Sequence, residues 1–287
     1  MKTLTPFGVS DYLPETANKY DHCRKTISTC FKSFGFDYIR TPTLEYIDSL
    51  KPGLGPHLEA SAIKFFDSSN QLLCLRPDHT TPIARIVSSQ MKSAKLPLKL
   101  YYQGPVFRRS NSAQKDMEIF QSGLEIIGED SAKHDADIIN VCLKSLQALG
   151  YKNIGIDVGH ADTLANSSEE NKEHLLNKDY IALGSIPKRG GSELFKTTDR
   201  IQSLDKELNS LGIKNMVTYN SGLVRDLNYY TGLIFECYIE GFSEPVASGG
   251  RYDTLLKNFG VDAPAVGFAI NVSLLMDNPS ALEKSNV

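Results

Sequence analysis

A chain of 287 residues can bury one large or two small hydrophobic cores, and its 41% hydrophobic and 23% charged content is ordinary for a globular protein. A formal charge of −3 lacks the basic footprint of a nucleic-acid binder. The N-terminus MKTLTPFGVSDYLP has no apolar signal core and no run reaches membrane-spanning length, so a cytoplasmic protein with no membrane partner is expected.

The five cysteines, Cys23, Cys30, Cys74, Cys142 and Cys237, are odd in number and lack C-x-x-C spacing. That pattern argues against a disulfide framework or a zinc site and for a reducing compartment. Each lies in an apolar periodic stretch, so core packing is expected of all five. No metal or other cofactor is expected.

In chain order, Pro14 and Glu15 open a helix with apolar positions at Tyr20, Cys23, Ile27, Phe31 and Phe34, and Gly35 stops it. Phe36 to Pro42 reads as a strand broken by proline, which suits an edge or an interface. IKFFDSSNQLLCLRPD has the pattern of a hairpin around an Asp-Ser-Ser-Asn turn. Thr81-Pro82 supplies a cap and a first helical position for a helix running to about Met91. A second hairpin, KLYYQGPVFRRSNSAQKDMEIFQSGLEIIG, precedes a helix from about His134 to Leu149 that Gly150 ends, and NIGIDVG is a short strand. Residues 163–212 are charged, helical and poor in β-branched residues, with a capping-box pattern at Ser167-x-x-Glu170, and read as a helical insertion. NMVTYN, GLIFECYI and PAVGFAI return to strand character, with GGRYD as a turn between the last two. The expected fold class is α+β, antiparallel strands with helices around them.

Alternation along the returning strand of the second hairpin puts Met117, Ile119, Gln121, Gly123, Glu125 and Ile127 on one face. One register brings Arg108 onto that face from the opposite strand, and a one-residue slip removes it. In that register the trio Arg108, Gln121 and Glu125 has two readings. It holds a small zwitterion, glutamate for the ammonium and bidentate arginine for the carboxylate, or it is a cross-strand ion pair worth about 0.2–1 kcal/mol. Further on, SGLVRDLNYYTGLIFE carries Arg225 ahead of Tyr229 and Tyr230, and SGGRYD carries Gly249, Gly250 and Tyr252. Tyrosines offer an apolar wall with a hydroxyl, and glycines admit close approach to the backbone. Together with the hairpin they suggest a cleft for one small polar molecule.

These peptides in combination resemble the catalytic core of class II histidyl-tRNA synthetases, over nearly the whole chain. FGFDYIRTPTLE is similar to the first class II motif, which builds a dimer interface in that family, and YYQGPVFRRS with FQSGLEIIG is similar to the second. LVRDLNYYTGLIFE and SGGRYD resemble two histidine-specific signatures, and VGFAI the start of the third motif. The resemblance implies a class II synthetase-like antiparallel sheet flanked by helices over 1–287. It assigns Asp78, Thr80, Arg108, Gln121, Glu125, Tyr230 and Tyr252 to a histidine pocket. Arg225, placed with them, falls on the arginine that assists chemistry at the adenylate.

The nucleotide half departs from the synthetase pattern. Ser110 and SNSAQKD replace an acidic residue and a basic, proline-containing loop, Met117 stands where an arginine is expected, and Leu274 takes the place of the third-motif arginine. Each lost charge-assisted contact is worth about 1.5–3 kcal/mol, so useful ATP activation is not expected. The chain also ends soon after the third motif, which implies no anticodon-binding domain. That combination resembles the regulatory subunit family of ATP phosphoribosyltransferase, which has no catalysis of its own. Its members act with a short-form catalytic subunit, typically as a hetero-octamer, in the first step of histidine biosynthesis, and mediate inhibition by histidine. The resemblance therefore implies no catalytic residues, a self-dimer, that catalytic partner, L-histidine as effector and no tRNA. The effector site is either the synthetase-like pocket or a subunit interface. The alternative is a free-standing synthetase-like ligase that activates an amino acid.

Overall fold

The computed structural model describes residues 4–109, 116–177, 179–195, 199–224 and 230–277. Helix α1 (Pro14–Ser33) starts on proline, buries Cys23, Ile27 and Phe31, and gives way to Gly35 in the left-handed region at φ 80°. Strands β1 (Asp37–Tyr38) and β2 (Leu44–Tyr46) follow, then α2 (Ile47–Leu50), α3 (Pro56–Ser61), the hairpin β3 (Lys64–Phe66) and β4 (Leu72–Leu75), and α4 (Thr80–Gln90). The long hairpin is β5 (Leu98–Phe107) and β6 (Glu118–Ile127), followed by α5 (Ala132–Ala148) and β7 (Ile154–His160). Next come α6 (Asp162–Ala165), α7 (Glu169–Leu176), β8 (Arg189–Gly190), α8 (Asp199–Ser210) and β9 (Val217–Asn220). Strands β10 (Leu233–Ile239), β11 (Ala247–Arg251) and β12 (Ala265–Asn271) lead into α9 (Val272–Asp277).

Nine strands form one sheet in the order β1-β5-β6-β12-β11-β10-β7-β9-β8, and β2-β4-β3 form a second. The centre of the large sheet is antiparallel from β5 to β7, while β1 with β5 and β7 with β9 pair in parallel. Strand alternation gives the sheet two unlike faces. Leu124, Ile126, Val266, Phe268 and Ile270 point into the main core with Cys23, Ile27 and Phe31 of α1 and Ile138, Ile139 and Cys142 of α5. The opposite face carries Gln121, Gly123 and Glu125 on β6, with Ala269 and Gly267 beside them on β12. Helix α4 covers one end of that second face through Ile83, Ala84 and Val87, which pack with Leu100, Tyr102, Ile127 and Ala265.

The described cysteines Cys23, Cys74, Cys142 and Cys237 are buried and all five are free thiols, Cys30 being half-buried. Five local expectations are corrected. The strand over Phe36–Pro42 shrinks to β1, a parallel edge strand, because proline interrupts the ladder. Helix α4 begins at Thr80 with His79 at the cap position, and Thr81 instead donates its N–H at 3.2 Å and its Oγ1 hydroxyl at 2.9 Å to the Asp78 carboxylate. Ser168, not Ser167, caps α7 by accepting from Asn171 N, while the Ser167 hydroxyl donates to the Thr163 carbonyl. The stretch 163–212 is not wholly helical, since β8 lies antiparallel to β9 and extends the large sheet. GGRYD is not a turn: Gly249 and Gly250 sit within β11, where a Cβ on Gly249 would lie 2.2 Å from the Gly267 carbonyl oxygen.

Candidate functional site

The register of the long hairpin decides which side chains meet. Gly104 stands opposite Gln121, Tyr102 opposite Gly123 and Leu100 opposite Glu125. Arg108 N donates to Met117 O at 2.9 Å, so Arg108 falls on the face of Gln121 and Glu125. Tyr102 fills the space over Gly123, where a Cβ would come within 2.4 Å of its hydroxyl.

A cavity of about 450 Å3, its open mouth included, lies on this face. Asp78, Thr80, Gln121, Glu125, Tyr230 and Tyr252 all line it, brought from the turn before α4 and its first residue, from β6 and from the segments beside β10 and β11. Arg108 flanks it instead: its Nε donates to the Pro77 carbonyl at 2.8 Å, and its charge acts on the adjoining Asp78. Arg225 and Tyr229, like the hairpin turn at 110–115, lie outside the described residues.

Glu125 is the centre of the site and is 1% exposed. Thr80 Oγ1 donates to its Oε1 at 2.9 Å, and the Tyr252 hydroxyl bonds its Oε2. The side chain lies across Gly267, where a Cβ would fall 1.6 Å from Oε2. Burial pushes the Glu125 carboxyl up to about 8, the Asp78 charge adds to the shift, and the two hydroxyls oppose it. Asp78 is also raised by burial, against the pull of Thr81 and Arg108. Its Oδ1 is buried with no hydrogen-bond partner. Burial, followed by the charges of Glu125 and Asp78, drives the Tyr102 phenol well above its ordinary value.

Sequence reasoning missed several lining residues: His79, Tyr102, Ser248, Gly267, Phe268 and Ala269. His79 stacks on Tyr102 with ring centroids 4.4 Å apart, and its Nε2 donates to the Gly104 carbonyl at 3.1 Å. Burial and the nearby Arg76 hold this imidazole down at about 3, so it is neutral. The one available signal was Tyr102, which alternation places opposite Gly123. The arrangement suits a small ligand with a cationic group at the carboxyls and a flat part against the tyrosines. Among the described residues there is no group of His, Cys, Asp and Glu that could hold a metal ion.

A family profile described as "Histidyl-tRNA synthetase" matches residues 8–183 and 189–275. An ATP phosphoribosyltransferase regulatory subunit of Carboxydothermus hydrogenoformans is 34% identical, over 95% of this chain and 95% of the relative. One from Clostridium novyi is 33% identical, over all of this chain and 79% of the relative. A crystal structure described as an ATP phosphoribosyltransferase regulatory subunit/histidyl-tRNA synthetase from Bacillus halodurans superposes with a TM-score of 0.87 at 29% identity. That match covers 98% of this chain and 84% of the solved one.

Proposed function

Because the chain belongs to the ATP phosphoribosyltransferase regulatory subunits, on the histidyl-tRNA synthetase fold, we propose that it has no catalytic step of its own and controls a short-form catalytic subunit. In this reading the two assemble as a hetero-octamer for the first step of histidine biosynthesis, in the cytoplasm. L-Histidine occupies the cavity and inhibits, and no tRNA is bound. An effector shifts activity only through unequal affinity for the active and inhibited assemblies.

One observation carries the reading: the acidic, tyrosine-walled pocket is intact while positions that a nucleotide's phosphates would need are apolar. Leu274 packs against the main core, and Met117 lies against Gly8. Neither side chain offsets phosphate charge. A self-dimer is supported by the small sheet, whose Leu44, Tyr46 and Phe65 are 49%, 51% and 37% exposed. In register, Tyr46 and Phe65 both flank Leu73.

Mixing the protein with a short-form phosphoribosyltransferase, ATP and phosphoribosyl pyrophosphate is expected to raise turnover, and histidine to suppress it. Unchanged turnover across a concentration series counts against the proposal. The same pocket would serve a free-standing ligase. Histidine-dependent exchange of pyrophosphate into ATP separates the two, and clear exchange would overturn the regulatory reading.

A further inference from the structure

Asp78 and Glu125, at 5% and 1% exposure, line one cavity. Two carboxylates in one desolvated space do not both ionise unless a cation stands with them. The start of α4 presents Asp78, His79 and Thr80 to Glu125, and β5 presents Tyr102. Strand β6 itself adds neutral Gln121, β12 adds the side-chain-free Gly267, and Tyr230 and Tyr252 close the remaining sides. His79 is neutral, and Arg76 turns its guanidinium to the carbonyls of Thr41, Pro42 and Pro105. Arg108 acts on Asp78 from the flank, through its place beside Pro77. Among the described residues, no lysine or arginine lines the cavity.

The two carboxyls are held differently. Asp78 has Oδ2 on Thr81 and a buried Oδ1 with no hydrogen-bond partner among the described residues. Glu125 has both oxygens on hydroxyls. Hydroxyls accept as well as donate, so this site accommodates either protonation state.

We propose that the Asp78–Glu125 pair takes up a cationic head group by proton exchange: the pair shares one proton in the ligand-free protein and releases it as the cation enters. This rests on the reading that histidine occupies the pocket, its α-ammonium being the cation. Burial that pushes Glu125 up to about 8 keeps the proton on the pair at neutral pH, and a cation in contact reverses that shift. The carboxyl O–H bond breaks, its electron pair stays on the oxygen, and the proton passes to solvent. At the carboxyl pair the ammonium brings one positive charge as the proton takes one away, while the ligand's own carboxylate adds its negative charge elsewhere in the cavity.

The test is titration calorimetry with L-histidine near pH 7 in two buffers of unlike ionisation heat, which yields the protons exchanged per ligand. Wild type is expected to release about one proton more than Glu125→Gln, which has none to lose. Equal counts in both overturn proton exchange and leave the pocket reading standing. No binding to wild type overturns both. Should Glu125→Gln bind nothing, the side-chain carboxyl 13C resonance missing from that variant decides. In wild type it is expected at the protonated position near pH 6.5 without histidine and at the ionised position with it. A resonance ionised under both conditions overturns the proposal.

Discussion

At Glu125 two effects oppose each other, and the larger sets a pH dependence. Hydroxyl donors from Thr80 and Tyr252 favour the carboxylate, but full burial beside Asp78 favours the acid and lifts it from 4.5 to about 8. The folded state therefore holds a proton that the unfolded chain has already lost, so stability present below about 4.5 is lost progressively as pH rises to about 8. The slope is on the order of 1 kcal/mol per pH unit for one such group. Glu125→Gln is expected to flatten this fall, measured as urea unfolding of both proteins between pH 5 and 8; parallel curves would contradict it. Glu125 and Gln121 were legible in the sequence because alternation places them together, whereas Arg108 shares their face but flanks the cavity. His79 and Gly267 were not legible. Their roles depend on Gly104 and Glu125 across strands distant in the chain, and a glycine in VGFAI reads only as a strand residue.

Elements are tied together by charge as well as by apolar packing. Asp135 of α5, fully buried, receives Arg251 of β11 through Oδ1 at 2.7 Å and Arg200 of α8 through Oδ2 at 2.6 Å. Arg251 also holds Asp253 at 2.8 Å, and the Asp253 backbone N–H in turn bonds Thr231, next to Tyr230 of the pocket. Removing the shared carboxylate leaves Arg200 with Asp130 and Arg251 with Asp253 as their remaining counter-charges. Asp135→Asn is expected to lose about 1.5–3 kcal/mol, read as a lowered denaturant midpoint; a loss well under 1 kcal/mol would mean that the Asp130 and Asp253 pairs hold these arginines without Asp135. Nothing local announces this cluster, since Asp135 and its partner Arg251 lie 116 positions apart. Helices α1 and α5 were legible from their periodicity and glycine stops. Their caps were less so: Ser167 and Ser168 are equally good hydroxyls, and the path of the chain chooses between them.

For the whole molecule, the α+β class and the sheet's central antiparallel run follow from the hairpin patterns, while the parallel pairings β1–β5 and β7–β9 and the two short edge strands do not. Strand β1 has two residues, too few for alternation to register, and β8 is no longer. The apolar outer face of the small sheet bears on assembly. Tyr46→Glu is expected to convert a dimer to a monomer in analytical ultracentrifugation at micromolar concentration, with the far-UV circular dichroism unchanged. Sedimentation identical to wild type would remove this face as the contact between copies. The floor of the pocket has a different bearing on what the molecule can become. Gly250 and Gly267 lie side by side in register, and a Cβ on either would meet the Tyr230 ring or the Glu125 carboxyl at under 3 Å. At Gly267 the base of the pocket is main chain, with no side chain to shorten, so substitution there can only take volume away; room for a new specificity has to come from other lining residues, such as Ser248, Tyr102, Tyr230 or Tyr252.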